Sequence, residues 1–72
     1  MLVFDCGRLR EVRRALHLKQ SDTAAVLKCT AATISNMENG KVKISATDLA
    51  VLAGFYQKSI NEFYVERLDY NE

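Results

Sequence analysis

The side chains best suited to recognition chemistry lie close together in QSDTAAVLKCTAATISNMENG, residues 20–40. The carboxamide of Asn36 can bond both N6 and N7 of adenine, a pairing worth about 1–3 kcal/mol of discrimination. The hydroxyls of Thr33 and Ser35 can meet base edges or phosphates. Ala31 and Ala32 can offer only a methyl to a thymine methyl, or let the backbone approach closely. The same residue types also suit a plain solvent-facing helix, and periodicity alone favours that reading. Arg14 could reach a phosphate, whereas Arg10 reads as solvated. No nucleophile–base pair, phosphate loop or metal set can be assembled. His17 stands alone, and Cys6 and Cys29 match neither a metal spacing nor a disulfide framework. These observations predict no catalysis, no cofactor, no metal and no small-molecule ligand.

These residues need elements to hold them. The spacing predicts a helix from about Gln20 to Leu27, a tight turn, and a second from about Ala31 to Asn39. This is the helix-turn-helix arrangement, whose second helix can enter a major groove. Thr30 can cap that second helix, and Gly40 can stop it by taking a left-handed conformation. Lys19, at the expected cap of the first, has no acceptor. Ile34 and Met37 belong to the core, as does Cys29 as a small hydrophobe.

Apolar residues recur at helical spacing elsewhere, and no stretch alternates like a half-buried strand. Leu9, Val12 and Leu16 mark a helix starting near Gly7. Leu49, Leu52, Ala53 and Tyr56 form a full stripe on a fourth helix. Ile60, Phe63 and Tyr64 mark a fifth, with Ser59-Ile60-Asn61-Glu62 as its capping box. Ser45 begins a weaker version before the fourth. The prediction is an all-α fold: a compact five-helix globule.

With 72 residues there is room for one domain, spanning 1–72 with its core at about 7–64 and a tail at 65–72. A domain this small buries only about 60% of its unfolded surface, so its stability margin should be thin. No apolar run approaches the ~20 residues of a membrane span. The start, Met-Leu-Val-Phe-Asp, is no signal peptide. The expectation is a reduced, cytoplasmic protein without membrane attachment. The net charge is only +1, but it is segregated. Residues 1–43 carry eight Lys/Arg against four Asp/Glu, a balance of +4; residues 44–72 carry two against five, a balance of −3. The first part suits a polyanion and the last part avoids one.

The chain resembles the Cro/repressor (XRE) family of helix-turn-helix regulators over about residues 7–64. The resemblance rests on Leu9 and Arg13 in helix one, Leu18-Lys19-Gln20 at the entry to helix two, and Ala24 between the motif helices. It continues through Thr30, Ala31-Ala32-Thr33, Ile34-Ser35, Asn36-Met37, Glu38, Asn39 and Gly40, then Leu-x-x-Leu-Ala…Tyr and Ser-Ile-Asn-Glu-Phe. Three departures stand out. The family's first reader positions fall on Ala31 and Ala32, which have no hydrogen-bonding side chain. Thr23 replaces the usual leucine. Lys28 replaces a frequent turn glycine; a left-handed lysine costs of order 1 kcal/mol, so an adjusted turn is expected.

The resemblance implies a lambda-repressor-like fold with the motif at helices two and three. It makes Ala31, Ala32, Thr33, Ser35 and Asn36 the groove-facing surface. It implies that Gln20 and the start of helix two contact a phosphate, and that Arg13 and Glu38 form a salt bridge between helices one and three. Lys41 and Lys43 lie in the loop that touches the DNA backbone in relatives; two solvated lysines are the competing reading. The function implied is sequence-specific binding of double-stranded DNA by a transcriptional regulator, a repressor acting as a homodimer on a palindromic operator. Tyr64, Val65 and Leu68 on the fifth helix and its extension are the expected dimerisation surface. The alternative is a protein-interaction module or antitoxin-like partner, for which the near-zero charge and the alanines at reader positions argue.

Overall fold

Asp5 begins the first helix: its carboxylate accepts the Gly7 backbone N–H at 2.9 Å, the side-chain cap that satisfies one orphan donor. The computed structural model, which describes residues 1–67, places α1 at Cys6–Ala15, α2 at Gln20–Leu27, α3 at Ala31–Glu38 and α4 at Ala46–Tyr56. A 3-10 turn follows at Ile60–Phe63, and strands β1 (Leu2–Phe4) and β2 (Tyr64–Glu66) pair antiparallel.

The connections follow from local chemistry. Lys19 supplies no side-chain cap; instead its backbone N–H donates to the Asp22 carboxylate at 2.8 Å. The α2–α3 turn is not adjusted away from the left-handed region: Lys28 adopts φ 57°, ψ 45°. Its geometry lets Cys29 N–H reach the Ala24 carbonyl at 3.0 Å, and the closed turn outweighs the steric cost. The hydroxyl of Thr30 accepts the Thr33 N–H at 3.2 Å. Gly40, at φ 77°, ends α3, and Lys41 N–H returns to the Asn36 carbonyl at 2.8 Å. The Ser45 hydroxyl accepts the Asp48 N–H at 3.0 Å and starts α4.

One core joins these elements. Leu9 from α1, Ala24 from α2, Ile34 and Met37 from α3, Leu49, Leu52, Ala53 and Tyr56 from α4, and Phe63 from the 3-10 turn are all buried. Tyr56 and Phe63 are the largest side chains that are almost fully enclosed. The fully buried Thr23 joins them, its hydroxyl 2.7 Å from that of Tyr56.

Several expectations are corrected. The fifth helix is a single 3-10 turn, because the chain extends from Tyr64 and pairs with Leu2–Phe4. Ser59 accordingly accepts from Asn61 N–H at 3.2 Å, while Glu62 N–H goes to the Ser59 carbonyl at 3.0 Å; the capping box of a longer helix does not form. The fold is thus mainly helical with a small sheet, and not all-α. Each strand is three residues long, too short for alternation to register. Leu16 does not share the core stripe; it is the exposed C-cap of α1. Leu68 lies outside the described residues.

Candidate nucleic-acid interface

The inward side of α3 is anchored by one carboxylate. Glu38 is buried and receives Arg13 Nε at 2.7 Å and a second guanidinium N–H at 3.0 Å, the bidentate geometry that matches the two groups best. Gln20 Nε2 donates to the same carboxylate at 3.2 Å, and Arg10 Nε lies 3.6 Å from it. The third arm of Arg13 donates to the Leu18 carbonyl at 2.9 Å. Glu38 on α3 thereby ties together α1, the α1–α2 connection and the start of α2. Burial by itself pushes the Glu38 carboxyl up, but the hydrogen bonds from Arg13 and Gln20 and the charges of Arg13 and Arg10 hold it below its ordinary value. The hydrogen bond to Glu38 raises the Arg13 pKa.

Arg10 is therefore not a solvated bystander. Besides facing Glu38 it donates to the Asn39 carboxamide, so it spans from α1 to the end of α3. Its distance from Glu38 in sequence hides this role, and only its position one turn before Arg13 on α1 could have suggested it.

The outward side of α3 is built from short groups. Ala31 and Ala32 are exposed, and Thr33, Ser35 and Asn36 are half-buried. The Thr33 hydroxyl pairs with that of Thr30 at 3.1 Å, and Ser35 Oγ accepts from Asn39 Nδ2 at 3.4 Å. The Asn36 carboxamide has no hydrogen-bond partner among the described residues, while its backbone carbonyl helps to close the α3 terminus.

The remaining expected residues surround this surface unequally. Arg14, Lys41 and Lys43 are exposed. Gln20 is the first residue of α2, but its amide nitrogen already serves Glu38. Asp22, in the same first turn, brings a carboxylate to the helix end where a phosphate would sit, partly offsetting the dipole there. Tyr64 and Val65 are half-buried in β2, where the Tyr64 ring meets Phe4 edge-on with centroids 5.8 Å apart. No group of three or more His, Cys, Asp or Glu among the described residues could hold a metal, and no helix among them is long and apolar enough to cross a membrane.

This geometry is that of a helix-turn-helix domain: α2 and α3 joined by a short turn, with α3 anchored on one side and open on the other. The helix-turn-helix family model matches residues 9–63, from α1 through the 3-10 turn. The chain belongs to this family, in its Cro/repressor (XRE) branch, a family of DNA-binding transcription regulators. No curated protein and no solved structure matches it.

Proposed function

We propose that the chain is a sequence-specific reader of double-stranded DNA that represses transcription by occupancy. Two copies sit on a palindromic operator, each with α3 in one of two successive major grooves, and exclude polymerase. The observation that carries this reading is the division of α3 into two sides. Its one charged residue, Glu38, is turned inward and neutralised, and the outward side presents two methyls, two hydroxyls and one unpaired carboxamide. Side chains that short let the backbone approach the groove floor, and the groove, about 12 Å wide, admits a helix of roughly that diameter. In this reading Asn36 is the principal base reader, Ala31, Ala32, Thr33 and Ser35 shape the contact, and Arg14, Lys41, Lys43 and the Gln20 end of α2 meet phosphates.

Selection from a random duplex library tests the reading. A palindromic consensus is expected, and Asn36→Ala should relax one base position in each half-site by about 1–3 kcal/mol. Replacing Lys41 and Lys43 with alanine should weaken all sequences alike and flatten the salt dependence, at about 0.9 of slope per lost phosphate contact. Failure to bind any duplex, including unrelated DNA at low salt, would instead favour the protein-interaction module.

A further inference from the structure

The small sheet has one protected edge and one open edge. Two backbone hydrogen bonds fix its phase: Asp5 N–H to the Phe63 carbonyl at 2.9 Å and Arg67 N–H to the Met1 carbonyl at 2.8 Å. With Val3 opposite Val65, the odd-numbered residues of β1 bond inward to β2. Alternation turns the N–H and C=O of Leu2 and Phe4 outward. The outer edge of β2 is partly occupied, because Tyr64 N–H is taken by the Asn61 carbonyl. The outer edge of β1 faces no other strand among the described residues. Of the usual protections it has only shortness: no side chain of the three-residue strand Leu2–Phe4 is charged, none is proline, and Leu2 is 61% exposed.

We propose that β1 is the dimerisation element, pairing antiparallel with β1 of a second copy about a two-fold axis through Val3. The proposal rests on the dimeric reading above and names its surface. The outward groups occur in the register that self-pairing needs. Leu2 bonds Phe4 of the other copy in both directions, and the symmetric pair repeats this, giving four backbone hydrogen bonds with no group left over. Val3 meets its own counterpart in the close, non-hydrogen-bonded position. The Val3–Val65 pair of each copy then joins a row of four valines across a four-stranded sheet, and β-branched cross-strand pairs of this kind are favourable.

On the opposite face each exposed Leu2 comes beside Phe4 of the other copy. Phe4 lines an open apolar groove of about 420 Å³ together with Met37, Val42, Ile44 and Tyr64, so the leucine extends an apolar surface that is already present. Uncharged edges let two identical copies approach without repulsion. Two strands of three residues lie at the short end for an independent sheet, and pairing doubles the strand number. The shared surface is small, so association is expected to be weak in free solution and completed on DNA.

Sedimentation equilibrium of the full chain, with and without a palindromic duplex, tests the assembly. Leu2→Pro deletes one outward N–H per copy while leaving the inward ladder intact. Leu2→Lys places charge on the edge at an exposed position and serves as the second variant. Each should keep the thermal unfolding of the monomer. Leu2→Pro should raise the dimer dissociation constant roughly ten- to a hundredfold, the loss of two net hydrogen bonds, and Leu2→Lys should raise it as well, by charging the paired edge. Register is read by Val3→Cys in a Cys6→Ser, Cys29→Ala background. Non-hydrogen-bonded partners lie about 4.5 Å apart at Cα, within disulfide reach, so mild oxidation should link two chains, whereas Glu66→Cys on the other edge should not. A dimer indifferent to Leu2→Pro and unlinked through Val3→Cys overturns this surface and leaves the dimeric operator reading standing. A chain that stays monomeric both free and on DNA overturns both, and leaves the edge to a strand of some other protein.

Discussion

The hydroxyl groups of Thr23 and Tyr56 meet at 2.7 Å inside the core. Thr23 stands where the family usually has leucine, so a polar group has entered the interface between α2 and α4, and the tyrosine supplies its partner. Both side chains are buried, and neither hydroxyl is left unsatisfied. Tyr56→Phe should cost about 1–3 kcal/mol because the threonine hydroxyl is stranded. The double variant Thr23→Val with Tyr56→Phe should recover most of that loss. Urea denaturation of Tyr56→Phe, Thr23→Val and the double variant checks this, and a double-variant loss equal to the sum of the two single losses would show that the bond carries no coupling.

The Glu38 cluster predicts an asymmetry. Glu38→Met leaves Arg13 charged and buried with Arg10 beside it, and should cost about 3–5 kcal/mol. Arg13→Met should cost less, because Arg10 and Gln20 still face the carboxylate. Replacing both Arg13 and Glu38 with methionine should regain much of the larger loss. Thermal unfolding of all three gives the answer, and an Arg13→Met loss larger than that of Glu38→Met would refute the shared-carboxylate arrangement.

Stability should fall at both ends of the pH range, through different residues. The Glu38 pKa is lowered in the folded state, so its contribution is present above the ordinary glutamate value of about 4.3 and is lost as pH falls through the lower folded value. The Tyr56 pKa is raised, chiefly by burial. Its contribution is complete below the ordinary tyrosine value of about 10 and is lost as pH rises through the higher folded value. Urea midpoints measured across both limbs should show Glu38→Gln blunting the acid limb alone and Tyr56→Phe blunting the alkaline limb alone.

Lys28 holds a left-handed backbone conformation and is exposed. Lys28→Gly should relieve the Cβ clash of roughly 1–2 kcal/mol and return part of it as unfolded-chain entropy, for a net gain of about 0.5–1 kcal/mol. A glycine variant that is less stable than the parent by chemical denaturation would mean that the lysine side chain supports the turn.

The four α-helices among the described residues were legible because each buries a stripe and begins or ends on local chemistry. Leu49, Leu52, Ala53 and Tyr56 are all buried, and the bounds of α2 follow the spacing residue for residue. The chain ends were not legible in the same way. Ile60, Phe63 and Tyr64 carry helical spacing, yet a partner more than fifty residues away draws Tyr64 into a strand. Such pairing is tertiary, and three residues give it no period to display. Asp5 could have been read as an N-cap, since it stands just before the first periodic residues. Arg10 was legible only through its place one turn before Arg13, because its two partners belong to α3 and its terminus, far away in sequence.

The inward anchoring of α3 also bears on how this surface could change over time. Ala31, Ala32 and Asn36 contribute no side-chain hydrogen bond within the described residues, and none belongs to the buried core. Exchanging them alters what the helix offers to a partner while Ile34, Met37 and Glu38 keep its position. Under the proposed function, recognition and foldedness are therefore written in separate sets of residues on one eight-residue helix. A lineage could acquire a new target by drifting through the outer set, with each intermediate still folded, and a thin stability margin would then restrain the inner set far more than the outer one.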